Sequence, residues 1–410
     1  MKKPVLALIP SAYKTDKVYS VLPVNGDGDF SFYRDSGGTR INENGLIEEI
    51  TTTNKPRLNW EGNCPSLLME PQRTNLQIRS EEFDNVAWTK QLLTVNANDT
   101  ISPDGTKSAD KLIPNTVNST HYIQGNISGL STSTEATFSV FVKKAEISQL
   151  QLLCAQNSSP FTNWARLQFD LNTLTEFGTN VGTYGYEDYN NGWIRVFVTG
   201  TPTDVGALIR VTLYKNFSNS FEGNNSDGFY LYGSQIEQGV EPTSYIKTEG
   251  SIVTRSEEYR ITTSLSGQTQ FDKNKGLVFI DVNPFELNTG QSSAISLQDG
   301  GYNILLFDFK PNNILNFFIN NAPAPGAVSY DYSHSGGRIK AAILWSNGKY
   351  RLFANGQLLN SYNTSIEFSQ LDSFQFNSYF GTYDFQGKVY GIQVFDELLS
   401  DDEIKKMTEL

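Results

Sequence analysis

Thr137-Phe138-Ser139-Val140-Phe141-Val142 and Trp193-Ile194-Arg195-Val196-Phe197-Val198 decide the fold of this 410-residue chain. Alternate residues of an extended strand point to opposite faces, so period-two patterning of this kind gives each segment one buried face. Leu167-Gln168-Phe169-Asp170-Leu171 and Phe229-Tyr230-Leu231-Tyr232 repeat it, with no amphipathic helix between them. That spacing predicts antiparallel sheets packed face to face. Working outward, a second strand-rich block begins near Gly276 with Leu277-Val278-Phe279-Ile280-Asp281-Val282, continues through residues 302–309, 314–319 and 339–345, and closes with Lys388 to Phe395. Within it, Ser346-Asn347-Gly348-Lys349 and Asn355-Gly356 read as hairpin turns, because Asn-Gly tolerates the positive φ angles such turns need.

The expected fold class is therefore all-β: two antiparallel β-sandwich (jelly-roll) domains at 76–250 and 271–410, preceded by an extended N-terminal anchoring segment at 1–75. Residues 251–270 read as a linker, with protease-accessible Arg255 and Arg260. In the first segment, Asp29-Phe30-Ser31-Phe32-Tyr33-Arg34 lies between the turn-rich Asn25-Gly26-Asp27-Gly28 and Ser36-Gly37-Gly38. Its apolar patches, Ile47 to Ile50, Arg57 to Trp60 and Leu67-Leu68-Met69, are too sparse for a core of their own. The segment is expected to become ordered against another chain. One helix is predicted, at the end, where Ser400-Asp401-Asp402-Glu403 has the spacing of a capping box.

Composition agrees with an all-β chain: 26 Phe and 20 Tyr stand against 3 Met, and 33 Gly punctuate the apolar runs. The net charge of −12 is spread along the sequence with no basic stripe, which argues against nucleic acid as a partner. No window approaches the roughly 18 apolar residues of a membrane span, so no membrane insertion is expected. Met-Lys-Lys followed by Pro4 to Ala12 imitates a secretory signal, but Pro4 and Pro10 break its short apolar stretch, and it reads as mature protein. Cys64 and Cys154 read as two buried free thiols.

Little in the sequence suggests catalysis. Glycanases of sandwich fold set their acids in a Glu-x-Asp-x-x-Glu run, and the adjacent acids Glu187-Asp188 and Asp401-Asp402-Glu403 read instead as solvated surface. The two histidines, His121 and His334, read as surface residues, and no Gly-x-Ser-x-Gly elbow surrounds a serine. No cofactor is expected. A structural calcium ion is the one metal the residues allow, with Asn225 and Asp227 of Asn224-Asn225-Ser226-Asp227-Gly228 as candidate ligands, the alternative being a plain turn. Sugar faces stack on exposed rings, and the densest loop aromatics are Tyr184, Tyr186 and Tyr189, followed by Phe217 and Phe221. The alternative is that these rings cap the sandwich core. Trp193 and Trp345 sit within strand patterns and read as core.

An ordered series of motifs carries a family resemblance. It runs through Ala7-Leu8-Ile9-Pro10-Ser11, Val18-Tyr19-Ser20-Val21-Leu22-Pro23, Asn44-Gly45-Leu46-Ile47-Glu48-Glu49 and Pro65-Ser66-Leu67-Leu68-Met69-Glu70-Pro71-Gln72-Arg73-Thr74-Asn75-Leu76. Glu82 to Lys90, Ser102 to Thr106, Asn191-Gly192-Trp193, Leu231 to Glu237 and Pro242 to Ile246 follow. Over its first two-thirds the chain resembles phage virion proteins in which an amino-terminal segment leads into a carbohydrate-binding-module-like jelly roll. The last third resembles a laminin-G or concanavalin A-like sandwich, through Trp345 to Gly356 and Phe395 to Ile404. The resemblance implies a non-enzymatic component of a tailed-bacteriophage virion: a tail appendage, fibre or capsid decoration that adheres to bacterial surface glycans. Its implied partners are other virion proteins and further copies of itself, a trimer being favoured. A purely structural capsid or tail component without ligand and a polysaccharide depolymerase are the competing readings.

Overall fold

The computed structural model describes residues 2–10, 13–14, 17–18, 30–157, 162–189, 191–259, 261–265, 272–287, 290–299, 303–321, 327–378 and 383–410. The expectations for Asn25 to Gly28, for most of Val18 to Pro23 and for Arg260 lie outside the described residues. Among the described residues nearly all the regular structure is β, as expected, with one helix. The chain forms two compact units: a middle unit of residues 38–49 and 72–255, and a terminal unit of residues 1–37, 50–71 and 256–410.

The middle unit is a β-sandwich of two antiparallel sheets. One, the Tyr214 sheet, has the strand order Trp88–Gln91, Tyr122–Ser128, Gly206–Tyr214, Gln149–Gln156, Asn163–Asp170, Thr175–Glu176. The other, the Trp193 sheet, runs Leu93–Ile101, Lys107–Pro114, Phe229–Gln238, Ala136–Lys144, Trp193–Gly200, Thr183–Asp188. Phe138, Val140, Val142, Ile194, Val196 and Val198 pack with Leu150, Leu152, Ile209, Val211 and Leu213 in one apolar core. These are the residues that period two selects. The hairpin Gly38–Ile41/Ile47–Ile50 lays Ile41 and Ile47 against Phe141, Trp193, Tyr232 and Tyr245, on the other face of the Trp193 sheet.

Asp110 of the same sheet is buried and accepts from the backbone N–H groups of Asn98 (2.8 Å) and Phe83 (3.0 Å). Burial lifts its carboxyl to about 6, outweighing those donors. A folded-state value above the unfolded one contributes stability that is fully present below the unfolded value of 3.8 and is lost as pH rises through about 6. Asp110→Asn does not titrate there. The urea midpoint of the parent should therefore fall relative to that of the variant between pH 4 and pH 7, and a constant difference would contradict the assignment.

The terminal unit is a second sandwich. Its larger sheet has the order Gln357–Asn363, Lys349–Ala354, Ile339–Ser346, Lys275–Pro284, Gly387–Phe395, Cys64–Met69, Leu58–Glu61, and Leu6–Leu8 also pairs with Gly387–Phe395. The facing sheet runs Thr262–Ser264, Ser373–Gln375, Ser293–Gln298, Asn303–Lys310, Ile314–Asn321, Val328–Ser333. Asn347-Gly348 and Asn355-Gly356 make the two expected tight turns, all four residues at positive φ. The helix Asp401–Thr408 starts at the expected capping box and buries Ile404 against Leu277, Phe279 and Phe353.

The extended anchoring segment at 1–75 is not what the structure shows. Leu6, Leu8, Phe30, Phe32, Leu58, Leu67 and Met69 belong to the core of the terminal unit, while residues 38–49 and 72–75 belong to the middle unit. Each patch is too short to fold alone, and each completes a sandwich built mainly from strands further along the chain. The described residues of the expected linker, 251–259 and 261–265, are likewise held in the fold. Val253–Arg255 pairs with Arg73–Asn75, Ile261 and Leu265 are buried, and buried Arg255 donates to the hydroxyls of Thr243 (3.2 Å) and Ser244 (2.9 Å). A protease therefore has no exposed site at Arg255.

Candidate functional site

Because the inward positions of the Tyr214 sheet are apolar, period two sends a second set of residues to its outer face, and beside a small apolar cluster of Leu153, Ala155 and Leu208 that set is polar and aromatic. Tyr122, Thr212, Gln151 and Gln168 stand in one row across four strands. Gln124, Arg210, Leu153 and Arg166 form the next, and Tyr214, Gln149 and Asp170 a third. Neighbouring positions in a row are about 4.7–4.9 Å apart, the spacing of adjacent strands in a sheet.

These side chains hold one another in place. Arg210 donates from Nε (3.1 Å) and Nη2 (2.6 Å) to Gln124 Oε1, and its guanidinium lies 4.0 Å from the centre of the Tyr122 ring. Gln151 Nε2 and Gln168 Nε2 donate to the Tyr214 hydroxyl at 3.2 and 2.9 Å. Burial raises the Tyr214 hydroxyl above its ordinary value, against the Gln168 hydrogen bond and the Arg166 charge, so the phenol stays protonated. Gln149 donates to Asp170 Oδ2 at 2.8 Å. Gly178 closes the margin at φ +66, where a Cβ would collide with the Gln168 side chain.

An aromatic run borders the face. The Phe177 ring is 5.5 Å from Tyr214 and 5.2 Å from Phe217. Phe217 sits at the tip of a two-residue turn in which Lys215 and Ser218 exchange backbone hydrogen bonds of 2.9 and 3.1 Å. Both central residues are left-handed, Asn216 at φ +52 and Phe217 at φ +62, a geometry that ordinarily selects Asn-Gly. A large ring is thus held 64 % exposed in a strained backbone, with its N–H donated to Gln149 Oε1 at 2.8 Å.

The structure separates the other expected ring sites. Tyr184 and Tyr186 pair with Val198 and Val196 on the edge strand, so both lie on the inter-sheet side, where Tyr186 packs 5.4 Å from Phe169. They remain 37 % and 43 % exposed at the margin of the sandwich. Tyr189 lies on the opposite side, its ring 4.8 Å from Phe141, and burial, reinforced by the Glu187 charge, pushes its hydroxyl up. The three tyrosines do not form one platform. Phe221 is buried against His121, with ring centres 4.8 Å apart.

His121 is buried rather than on the surface, with Nδ1 2.6 Å from the Leu92 carbonyl and Nε2 2.9 Å from that of Phe221. Half-buried His334 is held below its ordinary value by burial. Cys64 is exposed and Cys154 buried. In the candidate calcium loop, Asn224 Oδ1 accepts from the backbone N–H groups of Ser226 (3.0 Å) and Asp227 (2.8 Å), and the Asp227 carboxylate is 4.0 Å from Lys215 Nζ. Asn225, at φ +60, turns the chain. Among the described residues, no group of three or more His, Cys, Asp or Glu is placed to hold a metal ion, and no helix is long and apolar enough to cross a membrane.

Sequence reasoning missed Tyr122, Gln124, Gln151, Gln168, Arg210 and Tyr214. Their signal was present: amides, arginines and tyrosines recur at the positions that period two turns away from the core.

The described residues thus define a two-unit, all-β protein with an ordered polar and aromatic sheet face. No protein family and no curated protein matches the chain. Among solved structures it is similar to the Ruminococcus gnavus IT-sialidase CBM40 bound to α2,3 sialyllactose, at 18 % identity over 36 % of this chain and 92 % of that one, with a TM-score of 0.30. It is also similar to a Bacteroides ovatus protein described as a putative carbohydrate binding protein, at 12 % identity over 69 % of this chain and 82 % of that one, TM-score 0.27. Domains LG4-5 of the mouse laminin alpha1 chain are similar at 10 % identity over 68 % of this chain and 86 % of that one, TM-score 0.24.

Proposed function

We propose that the chain is a non-catalytic glycan-binding component of a tailed-bacteriophage particle, and that the outer face of the Tyr214 sheet holds the glycan. The observation that carries the binding reading is the pre-ordered row chemistry. Gln151 and Gln168 are fixed by Tyr214 and Arg210 by Gln124, so a sugar meets donors and acceptors that are already oriented and lose little further freedom on binding. The rings of Tyr122 and Phe217 offer apolar surface for sugar C–H faces at two sides of those polar groups. The three rows contain a single carboxylate, Asp170, and it is hydrogen-bonded to Gln149 and to the backbone N–H of Asn172. Hydrolysis of a glycosidic bond ordinarily takes two carboxylates. The virion location, docking to other virion proteins, trimeric assembly and bacterial surface glycans as ligands rest on the ordered motif series from Ala7 to Ile246.

The test is a glycan array of bacterial surface polysaccharides probed with the whole chain. Gln151→Ala combined with Arg210→Ala should weaken binding by at least tenfold with little change in melting temperature, since both residues stand on a solvent-facing sheet surface. Tyr184→Ala with Tyr186→Ala should bind as the parent does. Absence of binding to any glycan, or parental binding by the Gln151/Arg210 variant, overturns the reading, and release of oligosaccharide would favour a depolymerase. Phe217→Gly gives an independent check. Glycine relieves the left-handed strain, so stability should hold or rise by up to about 1 kcal/mol. Affinity should nonetheless fall severalfold, because the ring is lost.

A further inference from the structure

We infer that a second pocket in the middle unit, on the outer side of the Trp193 sheet, binds a single carboxylate-bearing sugar residue through Lys143. The cavity has a volume of about 210 Å³. That is below the roughly 300–1,000 Å³ of sites for drug-sized ligands, and it suits one ring with its substituents. Leu46, Ile101, Pro103 and Trp193 supply apolar wall, while Lys143 and Asn191 supply polar groups.

The walls are built before any ligand arrives. Asn42 Oδ1 accepts from the backbone N–H groups of Asn44 (2.9 Å) and Leu46 (3.1 Å), which shapes the hairpin loop on one side. Ser102 Oγ donates to the Thr106 carbonyl at 2.9 Å and shapes the loop on the other. The two loops are joined by a 3.0 Å hydrogen bond from Ile47 N to the Pro103 carbonyl, and Trp193 Nε1 anchors the floor by donating to the Ile101 carbonyl at 3.0 Å. Against this fixed frame, Lys143 Nζ lies 6.0 Å from the centre of the Trp193 ring and makes no hydrogen bond or ion pair with any described residue. Lys111 and Lys247 of the unit are engaged in contrast: Lys111 pairs with Glu146 at 2.9 Å, and Lys247 with Glu81 at 3.1 Å and Glu249 at 3.0 Å.

An ammonium group over an apolar-walled cavity selects an anion, and the partly desolvated setting strengthens the pairing relative to open water. The apolar wall selects a ligand that also carries C–H surface, and the Asn191 amide, which makes no side-chain hydrogen bond with a described residue, is free to take a hydroxyl. A sugar ring with a carboxylate substituent meets all three demands. This inference does not depend on the Tyr214-sheet face.

Methyl glucuronide and methyl glucoside differ only in the oxidation of C6, and titrating each into the full chain isolates the carboxylate. The glucuronide should bind at least tenfold more tightly, and Lys143→Met, which keeps the stem packed on Trp193, should remove the difference. The inference is overturned by equal binding of the two sugars, by absence of saturable glucuronide binding, or by discrimination that survives Lys143→Met. Should Lys143→Met lower the melting temperature, Lys143→Gln carries the same test.

Discussion

Glu258→Ala is expected to lose roughly 3–5 kcal/mol of folding stability, the range for removing one partner of a buried ion pair. Arg34, Arg57 and Glu258 have fully buried side chains in the terminal unit, and Glu70 is nearly so. Glu258 Oε1 is 3.2 Å from Arg34 Nη1 and 2.8 Å from Arg57 Nε, while its Oε2 accepts from Glu70 N at 2.8 Å. Arg57 Nη1 reaches Glu70 Oε2 at 2.7 Å. Burial by itself would lower the Arg57 guanidinium, but the Glu258 and Glu70 charges outweigh it and hold the group above its ordinary value. Removing Glu258 shifts that balance, since Arg57 then loses one of its two carboxylate partners and Arg34 loses the Glu258 carboxylate, both away from water. The loss should appear in the urea midpoint. In hydrogen exchange it should appear first in Cys64–Met69, which leads directly into Glu70. Protection in Ala136–Lys144 of the middle unit should be unchanged. Glu258→Gln keeps the shape and one acceptor but not the charge, and should fall between parent and alanine variant.

That network also shows why the amino-terminal third was the least legible part of the sequence. Nothing local marks Arg34, Arg57 and Glu70 as buried in that sparsely patterned stretch, because the residue that makes their burial tolerable lies 188 positions beyond Glu70. The strands at 137–142, 193–198 and 277–282, the Asn-Gly turns and the Ser400 cap were legible because their determinants are local: period two, a positive φ, a hydroxyl three residues before a glutamate. Local reasoning also holds part of the answer for Tyr184, Tyr186 and Tyr189. Two even positions and one odd position on a strand face opposite ways, so the three could not share a platform. The Tyr214-sheet face was overlooked for a different reason. Attention to loop aromatics passed over strand residues such as Gln151 and Gln168, whose significance appears only when four strands are set in register.

Asn75→Asp is expected to destabilise the middle unit by roughly 3–5 kcal/mol, as an uncompensated charge in a buried site does. Asn75 is fully buried, and all its hydrogen-bonding directions are assigned. Its Nδ2 donates to the carbonyls of Ser234 (3.1 Å) and Ile246 (2.8 Å), and its Oδ1 accepts from the backbone N–H groups of Gln77 and Ile236, both at 3.1 Å. One amide therefore ties the incoming strand Arg73–Asn75 to the strand Phe229–Gln238 and to the segment that follows it. Aspartate fits the same space, so packing is nearly constant, but an oxygen replaces the nitrogen and points lone pairs at two carbonyl oxygens. The variant must either bury that repulsion or take up a proton, which supplies one donor where two are needed. Stability should consequently be lowest at neutral pH and partly recover as pH falls and the carboxyl protonates, whereas the parent amide has no such response. Hydrogen exchange should quicken in Phe229–Gln238 and leave Cys64–Met69 protected, the reverse of the Glu258→Ala pattern. A variant as stable as the parent at pH 7 would mean that Asn75 does not make these four bonds.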